Sequence, residues 1–195
     1  MSTHSNTSLM KANKPASSPF HPGEQAIQSR LGIREKMERF GSRVIRDFMP
    51  EQHQKFYNKL PFILVGHTDK DGWPWASILF NSPGFIHADT PQTLSLTTQP
   101  INGDPLAESL QKDLRLGLLG IELPTRRRNR LSAHVSQHND TAIELKIDQA
   151  FGNCPQYIQT RELEMLDPST LPSPAIEEIK TFDTDAKKLI ASSDT

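Results

Sequence analysis

Four arginines fall within five positions in the run Thr125-Arg126-Arg127-Arg128-Asn129-Arg130. Charge of one sign at that density needs solvent, an acidic partner or a bound anion to offset it. A guanidinium fork donates two parallel hydrogen bonds to an oxyanion, so the chemistry these residues suit best is phosphate binding. A second run follows, Phe151-Gly152-Asn153-Cys154-Pro155-Gln156-Tyr157-Ile158-Gln159. Gly-Asn-Cys-Pro describes a defined backbone bend beside a soft, polar wall. Both runs sit among β-rich segments, and together they point to a small β-barrel holding a phosphorylated ligand. The arginine run also fits a solvated turn or a contact with another acidic partner.

Other chemistries find less support. No G-x-G-x-x-G or P-loop is present, so a dinucleotide-type phosphate cradle is not the simple explanation. The single cysteine, Cys154, excludes an intrachain disulfide. It is expected to be a buried, inert small hydrophobe, with a redox thiol as the sharper alternative. His134 and His138 are the closest histidine pair, but on a strand they stand about 13 Å apart, which argues against a shared metal. No Ser–His–Asp arrangement or carboxylate pair emerges from spacing.

These residues need a scaffold. Residues 1–19 are rich in Ser, Thr, Asn, Lys and Pro and are expected to form a disordered tail. From Pro22 to about Arg46 the pattern is helical, with Ile27, Leu31, Met37 and Phe40 recurring, and Gly32 and Gly41 dividing it. Pro50 opens a second short helix. Strands are predicted over Phe62–Gly66, Trp75–Phe80, Thr93–Thr98, Leu114–Leu123, Asn129–Gln137 and Thr141–Ala150, the last continuing, bent, through Tyr157 to Leu163. Asp104 is a predicted N-cap with Pro105 at the first helical position. A final helix is predicted from Pro174 to Ile190. The fold class is therefore mainly β with flanking helices, and the architecture a six-stranded antiparallel barrel. The expected organisation is a tail (1–19), N-terminal helices on the barrel (20–60), the barrel (61–166), and a linker with a C-terminal helix (167–195).

Composition sets outer bounds. The 195 residues carry a formal net charge of −1, with 35% hydrophobic residues and seven histidines. That balance gives no electrostatic reason to expect nucleic acid or an anionic membrane as partner. No apolar run approaches the roughly 20 residues of a membrane span. Met1 to Ser18 lacks a signal-peptide-like stretch. The expected location is the cytoplasm.

Several segments resemble one family. They are Phe20-His21-Pro22-Gly23-Glu24, Leu60-Pro61-Phe62, Gly72-Trp73-Pro74-Trp75-Ala76-Ser77, Gly103-Asp104-Pro105-Leu106, the arginine run and Asn153-Cys154-Pro155. Across about residues 20–195 the chain resembles the pyridoxamine 5'-phosphate oxidase-related FMN-binding split-barrel family, in the branch where the barrel begins a longer flavoprotein. The resemblance implies an FMN-binding split barrel, FMN as cofactor, an oxidoreductase activity and a reductase partner. Relatives of that branch continue into a second barrel. The expectation is either a homodimer, with the second barrel supplied by another copy, or a fragment.

The resemblance also implies site residues. Ser77 falls where the family places a second-strand arginine. Thr97 and Thr98 retain hydroxyls at the end of the third predicted strand. Asn102 opens a loop where the family's charged phosphate ligands stand. Trp75 is expected either to pack or to stack on the flavin. With the usual cations missing, Arg128 and Arg130 are expected to supply the charge for the phosphate. Residues touching the reacting edge of the ring are not identified. A barrel that has lost flavin and serves as a binding or assembly module is the competing reading, and an oxidase of pyridoxamine phosphate itself is a weaker third.

Overall fold

The computed structural model describes residues 18–166 and 180–193. Three helices come first: α1 (Pro22–Arg30), α2 (Arg34–Val44) and α3 (Glu51–Asn58). His21 starts α1 with a capping box. Its Nδ1 accepts the Gly23 amide at 3.0 Å, and the Glu24 carboxylate accepts the His21 amide at 2.9 Å. Gly32 adopts φ 69°, which ends α1 before α2 begins. The apolar series Ile27, Leu31 and Phe40 stays exposed, while Gln28 is the buried position of α1. Helical spacing here does not mark a core-facing stripe.

Seven strands follow: β1 (Phe62–Thr68), β2 (Pro74–Phe80), β3 (Ile86–Thr90), β4 (Thr93–Leu96), β5 (Arg115–Glu122), β6 (Arg127–His138) and β7 (Ile143–Asn153). Helix α4 (Pro105–Ser109) lies between β4 and β5, and α5 (Thr184–Ser192) comes last. All pairings are antiparallel, in the order β2-β1-β5-β6-β7-β4-β3. The count corrects the expected six. The strand missed is β3, a five-residue edge segment in which Ile86 is the one large apolar residue, too short a pattern to stand out. The expected continuation of β7 to Leu163 also fails. The strand ends at Asn153, and Tyr157 turns with φ 70°.

The sheet curls without closing, so β2 and β3 remain its edges. Where β2 and β4 end, side chains bridge the gap. The Asn81 amide donates to the Thr97 carbonyl at 2.9 Å, and the Thr98 hydroxyl donates to the Phe80 carbonyl at 3.0 Å. The result is a split barrel. Register shifts between Ser132 and Ala133 and between Val135 and Gln137 help bend the long β6–β7 pair.

The inner face carries Ile63, Val65, Leu79, Leu94, Leu96, Leu116, Leu118, Leu131, Val135, Ile143 and Leu145, all buried. Helix α3 covers the face with Phe56 and Tyr57, joined by Leu60 just beyond its end. It seats against Gly120, where an added Cβ would lie 2.7 Å from Tyr57 Cε1 and 2.9 Å from Phe56 Cε1. Between α2 and α3, Arg46 pairs with Ala150 through two main-chain bonds, which ties this connection to β7. Asp104 caps α4 through the Leu106 amide at 2.8 Å, with Pro105 at the first position, as the sequence predicts. The predicted helix from Pro174 is corrected in its described part: residues 180–183 are not helical, and Asp183 caps a helix that starts at Thr184. Residues 1–17 and 167–179, which include most of the expected tail and linker, lie outside the described residues. Among the described residues no helix is long and apolar enough to cross a membrane.

Candidate functional site

The expected site residues fall into two groups. Thr97 and Thr98 lie at the seam between β2 and the chain leaving β4, with Trp75 and Ser77 on β2 and Asn102 in the loop before α4. Arg128 and Arg130 lie on β6, in the middle of the sheet.

At the seam, Asp69 shapes the β1–β2 turn. Its Oδ1 accepts the Asp71 and Trp73 amides at 2.9 and 2.8 Å. Its Oδ2 accepts the Trp75 indole N–H at 2.7 Å, which holds a half-exposed ring in one orientation. The indole and these amides keep the Asp69 carboxyl below its usual range. Ser77 points inward and is 5% exposed. Its hydroxyl donates to Asp104 Oδ1 at 2.6 Å and lies 3.2 Å from His67 Nε2. The three residue types are those of a nucleophilic triad, but the connections differ. The carboxylate binds the serine directly and caps α4, while His67 Nδ1 is buried without a partner. The Ser77 proton is directed at Asp104 and, among the described residues, no carboxylate orients His67, so the cluster is not wired as a triad and joins α4 to β1 and β2. Ser77 thus offers no hydroxyl to a ligand at the barrel surface. The Thr98 hydroxyl is spent on the Phe80 carbonyl, while Thr97 and Asn102 are exposed.

On β6 the two sequence runs meet. Arg128 pairs with Asn153 in the ladder, and Asn129 with Gly152. The Arg128 Nε–H donates to the Cys154 carbonyl. The Asn153 side-chain oxygen accepts the Cys154 amide at 3.0 Å, which leaves its Nδ2 buried without a partner. Arg127 turns toward α3, with its guanidinium carbon 5.5 Å from the Phe56 ring centre and its Nη1 3.9 Å from Glu122. Together with Gln52, His53, Thr125 and Pro155, these residues line a cavity of about 240 Å³. His53 Nδ1 is also buried without a partner. Burial first, then the Arg46 and Arg127 charges, push the His53 imidazole below its ordinary value. The sequence marks the arginines and Asn153 through their runs. It gives no sign of His53 and Gln52, which α3 brings in from far along the chain.

Cys154 is exposed, contrary to expectation, because β7 stops one residue before it. Arg130 is exposed and belongs to a different surface. Its ladder neighbours are Leu119 and Phe151, and the row runs on through Leu64 to Ile78. Paired residues share a face, so Arg130 borders an outward apolar surface of Phe62, Leu64, Ile78, Phe80, Leu119 and Ile121. Ile78 and Phe80 are 40% and 49% exposed. Gly66 opposite Gly117 leaves a strip without side chains across it.

FMN requires phosphate donors and a surface for the ring. The Arg127–Arg128–Asn153 cavity has the donor chemistry for the phosphate, and the apolar outer face and the Trp75 ring have the surface for the isoalloxazine. The seam alone has no cation to offer a dianion.

No protein-family profile and no curated protein matches this sequence. Solved structures with a related fold include HupZ of Group A Streptococcus, at 7% identity and TM-score 0.42, covering 58% of this chain and 99% of that one. Another is an FMN-binding protein from Syntrophomonas wolfei, at 6% identity and TM-score 0.39, covering 64% of this chain and 96% of that one.

Proposed function

We propose that this chain is an FMN-binding split-barrel flavoprotein domain, an oxidoreductase module that works as a homodimer with flavin held where two barrels meet. The observation that carries this reading is the outward apolar face of β2, β1 and β5. It has the seam at one border and Arg130 at the other, and a glycine strip lets another backbone approach closely. A twofold axis along the strands would set the β2 border of one copy beside Arg130 of its partner. Arg130 then contributes charge near a site whose own seam has none. FMN would supply the electron-transfer chemistry. The chain's residues would orient the ring, exclude water from it and balance the charge of its phosphate. The electron donor would be a reductase partner.

The second reading, a barrel without flavin that acts as a binding or assembly module, is favoured by one observation. Ser77 is sealed by Asp104, and no cation takes its place. One experiment separates the two. The flavin reading expects a yellow protein with the native mass of a dimer, and both colour and dimer diminished in Ile78→Glu. A colourless monomer whose melting temperature does not respond to added FMN would sink it in favour of the second reading.

A further inference from the structure

We propose that the cavity between α3 and the ends of β6 and β7 is a built binding site for a phosphate monoester dianion. The sequence runs around Arg127 and Asn153 were distinct from the start, yet the fold closes them over one space. That space is lined by donors: the Arg127 and Arg128 guanidinium groups, the Asn153 amide and the Gln52 side chain. Among the described residues no carboxylate lines it. Glu122, the acid beside Arg127, engages Thr125 and lies 3.9 Å from Arg127 Nη1. A metal ion would find no anionic ligand in this lining, whereas an oxyanion finds two forks.

Two features distinguish the site from a solvated turn. Both arginines have contacts that orient them, Arg127 over the Phe56 ring and Arg128 on the Cys154 carbonyl, which lessens the side-chain freedom lost on binding. Asn153 and His53, which both line the cavity, each keep a buried polar atom, Nδ2 and Nδ1, that has no partner among the described residues. Buried polar groups are ordinarily paired, and a small rotation of the Asn153 side chain toward the cavity would let a ligand oxygen pair the amide. The volume of about 240 Å³ suits a phosphate head group and falls below the range for an enclosed drug-sized molecule. The rest of the ester would project past Pro155 and the exposed Cys154.

The phosphate could belong to FMN or to another ester, and the proposal does not depend on the flavin reading. The full chain is titrated calorimetrically with inorganic phosphate at constant ionic strength. Saturable binding is expected. Asn153→Asp keeps the oxygen that holds the Cys154 amide and replaces the donor with an acceptor, so affinity should fall at least about tenfold. Arg127→Gln, with its melting temperature checked, should weaken binding similarly. Competition between FMN and phosphate would identify the flavin's own phosphate as the occupant, and independent binding would identify another ester. Absence of saturable phosphate binding, or unchanged affinity in both folded variants, would overturn the proposal. A colourless protein that still binds phosphate would remove the flavin reading and leave this site standing.

Discussion

Tyr57 is fully buried, and its hydroxyl has no hydrogen-bond partner. Burial pushes its ionisation far above the ordinary range, so the group stays neutral. A hydroxyl removed from water without a new partner costs free energy that the aromatic ring alone would not. Tyr57→Phe should therefore raise unfolding stability, by roughly 1 kcal/mol, read as a later urea midpoint at unchanged slope. A loss of stability would mean the hydroxyl is satisfied in solution. His53 makes a second prediction at this scale. Folding holds its imidazole below the ordinary value of 6.5, so the unfolded chain binds the proton more readily. Its contribution is fully present above 6.5 and is lost as pH falls through the folded value. The urea midpoint should drop between about pH 7.5 and about pH 5.5, and His53→Asn should flatten that drop. An equal drop in the variant would assign it to other groups. Neither residue announces itself in the sequence. Tyr57 reads as an ordinary helical aromatic, and the neighbourhood of His53 exists only once α3 lies across β6.

Helix α3 depends on a missing side chain. Phe56, Tyr57 and Leu60 occupy the space above Gly120, and Phe56 meets Tyr57 edge-on at 5.1 Å. Two of the three neighbouring atoms belong to rigid rings, which cannot yield by rotating a flexible end. Gly120→Ala should cost about 1–3 kcal/mol through overpacking. Since α3 also forms one wall of the cavity, phosphate affinity should fall with it. An alanine that leaves both unchanged would show that α3 shifts freely on β5. At the scale of elements much was legible from local signals. The Gly32 break, the Asp104–Pro105 start of α4 and the long strands β6 and β7 each carry their own signal in a few residues. What was not legible depended on distant partners. Strand β3 is short, with Ile86 its one large apolar residue, and exists through pairing with β4. The end of β7 is set by the turn that Asn153 and Arg128 make around Cys154. Ile27, Leu31 and Phe40 follow a helical period that resembles a buried stripe, yet their helices leave them facing water.

For the whole molecule, the mainly β architecture follows from the spacing of strands and turns, and the partial closure of the sheet does not. No local pattern states which edges meet, because that depends on the accumulated bending of β6 and β7. The placing of the site residues is a global property for the same reason. The β2 seam and the β6 arginines are far apart in the ladder order, and a single copy does not unite them. The join between Phe80–Asn81 and Thr97–Thr98 illustrates what such an arrangement permits. It rests on two surface side chains reaching for main-chain carbonyls, so the width of the cylinder's mouth is encoded separately from its interior. Changes at those two positions could let the slit gape or tighten while every layer beneath keeps its place, making the aperture adjustable at little risk to folding.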